Sequence, residues 1–308
     1  MGVAKKLSKL LHESKELTFD DSTKIVLFSD CHRGDNSRSD NFAKNKNLYL
    51  AALKYYLENN YTYIEIGDGD ELWEVKSLRK IIDNHQDVFK LLSEFYANNR
   101  LYMLFGNHDI IKKEKHIKDE FLQTIYDNEE KKYVPLFPHI KIYEGLILRY
   151  KKTNDTILVT HGHQGDFFND AFWRVTCFLV RYVWKPLELI GIRNPMSTAT
   201  NGNKQKTVEK KLISWTIKNQ QMLIAGHTHR AVFPKVGNHL YFNDGCCTHL
   251  RYITCIEIEN GFISLVKWDV KVSENRSLHV DRKIIAGPNK LRDFFDSKSK
   301  LKVKRSKK

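Results

Sequence analysis

Between residues 24 and 109 the chain alternates short runs of β-forming residues with stretches whose apolar positions recur at helical spacing. Residues 24–29 (KIVLFS), 61–66 (YTYIEI) and 101–105 (LYMLF) are the short runs, and the first is unbroken, as in a strand covered on both faces. Between them, residues 40–60 place Leu48, Ala52, Leu53, Tyr56 and Leu57 on one helical face. Residues 77–98 do the same with Leu78, Ile81, Ile82, Phe89, Leu92 and Phe95. Such a β-α-β-α-β series predicts a parallel sheet with helices on both sides.

Further along, the pattern becomes strand after strand. Residues 140–143, 146–150 and 156–160 read as neighbours joined by turns at Glu144-Gly145 and Asn154-Asp155. Residues 221–225, 239–242, 252–259 and 262–267 follow, the last two linked by Asn260-Gly261, a strong hairpin signal. No repeat of solenoid length is present. The expected fold class is α/β, with two packed mixed sheets flanked by helices.

Residues 167–184 (FFNDAFWRVTCFLVRYVW) are apolar on nearly every side, in uncharged stretches too short to span a bilayer. They predict a buried core helix or a helical cap beside an active site. Pro186, Pro195 and the polar run 197–206 predict a mobile loop after it. The expected organisation is a basic amphipathic helix in 1–23, one domain over 24–289 with a helical cap insertion at 167–218, and a basic tail at 290–308.

With 308 residues and 41% hydrophobic content, the chain can bury one large core. Its formal net charge of +14 points to an anionic partner. Much of the excess lies from Lys290 onward, where nine Lys and Arg face only Asp293 and Asp296. That tail reads as a solvated terminus, or as a contact for nucleic acid or a membrane surface. The five cysteines show no C-x-x-C spacing, which suits a reducing cytoplasm. The first residues lack the apolar core of a signal peptide, and Lys6 breaks the myristoylation pattern that Gly2 begins. The expected location is cytoplasmic, with peripheral contact at the inner membrane face as a further option. Nothing in the sequence sets the oligomeric state.

Five apolar runs end in the same kind of turn: IVLFSDCH at His32, YIEIGD at Asp68, LYMLFGNHD at Asp109, ILVTHGH at His163 and MLIAGHTH at His229. Strands of a sheet set such turns side by side at their carboxyl ends, so distant residues can converge. One such turn is an ordinary loop, but five in series point to a common site. Carboxylate, imidazole and amide oxygen without thiolate suit two divalent cations, manganese first, with iron or zinc as alternatives. Two such cations need a bridging anion, for which Asp68 is the best candidate, and Gly67 lets the backbone turn closely beneath them. Cys31 is expected to pack rather than ligate.

The ordered set D-x-H, GD, GNHD, H and GHTH resembles the calcineurin-like metallophosphoesterase superfamily, over residues 24 to about 269. The resemblance implies that family's sandwich fold. It also implies one metal held by Asp30, His32, Asp68 and His229, and a second by Asp68, Asn107, His161 and His227. His108 would be the general acid, oriented by Asp109. More finely, GDGDELW resembles the G-D-x-x-E-x-W pattern of the UDP-2,3-diacylglucosamine diphosphatase branch, which also carries a helical insertion before GHTH. This chain has GNHD where that branch has GNRD, and HGHQGD where it has a shorter H-G-D. The lipid-A precursor is therefore one candidate substrate among several.

The reaction expected is hydrolysis of a phosphodiester or pyrophosphate in a nucleotide- or lipid-linked small molecule, by attack of a metal-bridging hydroxide. Arg33, Arg230 and Lys204 are candidates to grip the substrate's phosphates, each with a plain surface ion pair as the alternative. His163 is a neighbour without an assigned role. A metal-dependent nuclease is the second enzymatic reading. A nucleic-acid- or membrane-binding protein on a phosphoesterase scaffold is the non-enzymatic one.

Overall fold

A computed structural model of the protein describes residues 2–37, 40–127, 130–166, 169, 172–184 and 201–300. Its strands begin with β1 (Lys15–Phe19), β2 (Ile25–Phe28), β3 (Thr62–Ile66), β4 (Leu101–Leu104), β5 (Thr124–Asp127), β6 (Lys132–Pro135) and β7 (Ile142–Tyr143). They continue with β8 (Gly145–Tyr150), β9 (Thr156–Thr160), β10 (Met222–Ala225), β11 (Tyr241–Asn243), β12 (Tyr252–Glu259), β13 (Phe262–Val272) and β14 (Leu278–Lys290).

One sheet runs β14-β13-β12-β2-β3-β4-β7 and the other β1-β8-β9-β10-β11, with β5-β6 as a separate pair. The expected parallel series is β2, β3 and β4, in adjacent parallel register. Their inward side chains, Leu27, Ile64, Ile66 and Leu104, meet Leu148, Ile157, Val159 and Ile224 of the second sheet in one apolar layer. The opposite face of the first sheet is covered by the helices Lys46–Glu58 and Gln86–Ala97. This is the predicted sandwich of two mixed sheets with helices outside. The Asn260-Gly261 hairpin forms as expected, both residues lying at positive φ (54° and 74°) between Glu259 and Phe262, which pair.

Several boundaries differ. The expected helix over 77–98 is broken into Leu78–Asn84 and Gln86–Ala97, because His85 leaves helical geometry to set its ring against Asp40 (3.2 Å). Residue 23 is not a boundary. The helix Val3–Glu13 is followed by β1, which pairs in parallel with β8, and Leu7 packs against Leu212 and Trp215. The helix Gly202–Asn219, within the expected insertion, packs there on the second sheet rather than serving as a cap.

Residues 172–184 are helical but are not a core helix. Phe172, Val175, Phe178, Tyr182 and Val183 are exposed, and only Thr176 and Val180 of the helix are buried. Residues 167, 168, 170 and 171, Pro186, Pro195, the first part of the polar run 197–206 and the last eight residues of the basic tail lie outside the described residues. No helix among the described residues is long and apolar enough to cross a membrane.

The segment from Lys290 also departs from expectation. β14 extends to Lys290, and the helix Leu291–Asp296 then buries Leu291, Phe294 and Phe295 in the layer between the sheets. Charge counting hid an i, i+3, i+4 apolar stripe inside a basic stretch. Phe294→Ala should cost about 3–5 kcal/mol of unfolding free energy in urea titration. Removing the last eight residues should leave the midpoint unchanged.

Candidate metal centre

The site forms where the carboxyl ends of strands from the two sheets face each other. β2 delivers Asp30 and His32, β3 Asp68, β4 Asn107 and His108, β9 His161, and β10 His227 and His229. Five of these, Asp30, His32, Asp68, His227 and His229, sit at φ between 50° and 68°. That left-handed region is unfavourable for residues with a Cβ and persists only where the surroundings impose it. Its concentration here shows strands ended abruptly so that side chains turn inward. Glycines supply the clearance. A Cβ on Gly106 would strike the Asp68 carboxylate, and one on Gly226 that of Asp30.

The side chains form two groups with a shared member. In the first, Asp30 Oδ1 lies 3.1 Å from His229 Nε2 and 3.7 Å from His32 Nε2. In the second, Asp68 Oδ2 lies 3.1 Å from His161 Nε2, with His227 in the same cluster. The same Asp68 oxygen is 3.9 Å from His32 Nε2, so Asp68 stands between the groups, where a bridge was expected. His161 Nδ1 donates to the Ile66 carbonyl (2.9 Å) and His32 Nδ1 to Glu71 Oε2 (2.6 Å), which turns both Nε2 atoms toward the centre.

The donor set fits a pair of cations. Asp30 Oδ1, both side-chain atoms of Asn107, His161 Nε2 and His227 Nε2 are buried without a hydrogen-bond partner. Such atoms are costly to bury unless something else satisfies them. The His32 and His229 Nε2 atoms also face each other at 3.3 Å. Charge follows the same logic. Burial opposes ionisation of Asp30 and Asp68, yet the surrounding histidines hold both carboxyls well below the usual carboxylate range. Burial likewise disfavours a charged His229, but Asp30 beside it raises its pKa to about 10.

His108 lies at the rim, its side chain 21% exposed, between the Trp73 ring (stacked at 4.0 Å) and Glu71. Its Nδ1 is 2.7 Å from Glu71 Oε1. Asp109 does not orient it, contrary to expectation. That carboxylate accepts the backbone N–H groups of Gly106, Asp68 and Gly69 and the Lys112 ammonium (2.8 Å), tying the β3 and β4 turns together. Glu71 is therefore the residue missed. It holds His32 and His108 at once, and its position was visible as the Glu of G-D-x-x-E-x-W.

The proposed phosphate grips are also corrected. Arg33 is fully buried and paired with Glu65 (2.7 Å) and Asp70 (2.7 Å), and Arg230 pairs with Glu209. Lys204 does reach the site's edge, but on Asp166 (2.8 Å), which in turn lies 3.5 Å from His227 Nε2. His163 is buried beside His161, and burial pushes its pKa well down. A sixth strand-end turn escaped the sequence reading: after β11, Asn243 donates to the Gly226 carbonyl (2.6 Å) and Asp244 accepts from Ser29 Oγ (2.8 Å), beside Asp30. Its signal was the same apolar run and polar turn, YFNDG, without a histidine.

The family described as Calcineurin-like phosphoesterase matches residues 23–231. No curated protein matches the sequence. Among solved structures the chain is similar to Vps29 of Chaetomium thermophilum, at 9% identity and a TM-score of 0.40, covering 86% of this chain and 97% of that one. It is also similar to a cold-active protein-tyrosine phosphatase of a psychrophilic Shewanella, at 13% identity and a TM-score of 0.35, covering 86% and 83%. At such scores nothing about substrate follows from either.

Arg33→Ala removes the guanidinium from buried Glu65 and Asp70 and leaves Lys112 as their one remaining cation, which should cost about 3–5 kcal/mol in chemical denaturation. The KM of the fraction that stays folded should not move. A raised KM at unchanged stability would return Arg33 to substrate binding.

Proposed function

The chain belongs to the calcineurin-like phosphoesterase family, and on that premise we propose that it uses two divalent cations to hydrolyse a phosphodiester or pyrophosphate bond in a nucleotide- or lipid-linked small molecule. The observation that carries this reading is the pair of buried donor groups meeting at one Asp68 oxygen. Asp30, His32, Asp68 and His229 would hold one cation, and Asp68, Asn107, His161 and His227 the other. Manganese suits these oxygen and imidazole donors best. When bound, the cations supply Lewis acidity to phosphoryl oxygens and lower the pKa of water.

The chain's own residues supply orientation and a proton. Burial works against the charge on Glu71, yet His108 and His32 keep its carboxyl low, so it accepts the Nδ1–H of both rings. His108 Nε2 is then the atom to exchange a proton with the departing oxygen. Trp73 stacks on that ring and fixes its plane. That Glu71 and Trp73 both grip His108 supports kinship with the UDP-2,3-diacylglucosamine diphosphatase branch, whose pattern they complete.

The choice of a lipid- or nucleotide-linked substrate over nucleic acid rests on what surrounds the site. Arg33 and Arg230 are both paired with carboxylates, so neither is free to track a polyphosphate backbone. The exposed Phe172, Val175, Phe178 and Tyr182 offer apolar surface instead. Arg181 fastens their helix to the carbonyls of Leu72 and Trp73, both at 2.7 Å, directly beside the His108 stack. Such a substrate would be met in the cytoplasm at the inner membrane face.

Purified protein should contain transition metal near two equivalents by elemental analysis, and Mn²⁺ should stimulate cleavage of bis-p-nitrophenyl phosphate. Protein without metal that stays inert after Mn²⁺ is added would end the reading. Asp68→Ala should lose metal and turnover together. His108→Ala should keep its metal and lose roughly 10²–10⁴-fold in kcat; unchanged kcat would remove His108 from the reaction. Side by side, acylated nucleotide-sugar pyrophosphates should be cut faster than DNA.

A further inference from the structure

The hairpin of β13 and β14 carries an apolar face that nothing covers among the described residues. β14 is the outermost strand of its sheet. Val270 pairs with Val280 and Val272 with Leu278, so these four side chains share one face, which Ile284 continues. All five are exposed, Leu278 at 73%. The helix Lys46–Glu58 shields this face only as far as Trp268 and Arg282, which pack on Tyr55. The other face of β14 carries His279, Asp281 and Lys283 up to the register shift, beyond which Ile285 is exposed.

The free edge is also self-complementary. The bond from Ser273 N–H to the Ser277 carbonyl closes the hairpin, so by antiparallel alternation the odd-numbered residues of β14 are those bonded to β13. The N–H and C=O groups of Leu278, Val280, Arg282 and Ile284 therefore point outward, an open template for another strand. Around Arg282, Val280 mirrors Ile284 and Asp281 mirrors Lys283, and the stretch ends at Gly287-Pro288, where proline has no N–H to pair.

We propose that two copies of the chain pair antiparallel through their β14 edges, with the two-fold axis at Arg282. Val280 then lies opposite Ile284 of the second copy, and Ile284 opposite its Val280, on the apolar face. On the polar face Asp281 meets Lys283 of the second copy, twice by symmetry. Arg282, on the axis, is turned back onto its own Glu257 and needs no partner across the interface. The contact is isologous and closes, so it yields a dimer rather than a fibre. Moving the axis by one residue, to position 281 or 283, would set Asp281 or Lys283 against its own copy and set Val280 or Ile284 against Arg282, which fixes the register.

Sedimentation equilibrium of the full chain tests this. Wild-type protein should reach twice the monomer mass at micromolar concentration. Asp281→Lys and Lys283→Asp, each placing like charges opposite one another at two points, should each raise the dimer Kd by roughly tenfold or more. The double exchange, Asp281→Lys with Lys283→Asp, restores opposite charges and should restore the dimer, which also shows that the single variants fold. A monomeric wild type, or a dimer indifferent to the single exchanges, would overturn the proposal. So would a monomer that sediments with phosphatidylglycerol vesicles and loses that property in Val280→Asp, since the hairpin would then be a membrane face.

Discussion

The site depends on one carboxylate being held in place from several directions. Asp68 Oδ1 accepts the backbone N–H of His108 at 2.7 Å, while Oδ2 faces His161 and His32 from opposite groups. Its own N–H is held by Asp109, whose two oxygens also take Gly69 and Gly106. A shift of either turn would move the Asp68 carboxylate relative to both groups. Even the adjacent glycine is part of this constraint, because a Cβ on Gly67 would meet the Gly106 backbone.

Beneath the turns lies a buried ionic layer. Arg33 and Lys112 face Glu65, Asp70 and Asp109, all nearly or wholly excluded from solvent. Burying each ion costs several kcal/mol, and the pairing mostly offsets that cost rather than adding stability. The geometric consequence is larger. Arg33 follows the first ligand motif, Glu65 is in β3, Asp70 follows the second motif, and Lys112 follows the third. One network thus fixes three ligand turns against each other, with hydrogen bonds in place of the adjustable apolar packing used elsewhere. Asp109 shows the strain of the arrangement: burial raises its pKa, and Lys112 only partly compensates.

The candidate ligands were legible in the sequence because their signal is local. Each turn joins a β-forming run to Asp, His or Asn, and strand ends converge by topology, so the five turns stood out, and the resemblance put Asp30, His32, Asp68, Asn107, His161, His227 and His229 forward as candidate ligands. The roles of their supports were not local. Arg33 beside a ligand motif looks the same in sequence whether it points to substrate or into the protein, and only Glu65 and Asp70 decide. Asp109 next to His108 suggested a direct contact, yet its bonds run to the backbone of another turn. Glu71 lies three residues past Asp68 in a pattern already noticed, and its importance comes from meeting His32 and His108, separated from it by 39 and 37 positions. The fold itself was read correctly in its sheets and its parallel core. It was misread at both ends, where β1 and the helix Leu291–Asp296 carry too few apolar residues, among too many lysines, to stand out.

Whether an apolar face is exposed is not a local property either. β12 and β13 carry similar alternations, but Ile253, Cys255 and Val266 are buried because the helix Lys46–Glu58 lies over them. Val270 and Val272, only a few residues further, are exposed because β13 outruns that helix. For residues 172–184 two readings stood, a buried core helix or a helix beside the site; the exposed side chains exclude the first, and Arg181 anchors the helix at the rim by two backbone carbonyls. Periodicity reports which residues share a face. Whether that face is covered depends on the length of a neighbouring element, and an apolar face left uncovered beside a polar site or along an open strand edge is where binding chemistry beyond the fold is to be sought.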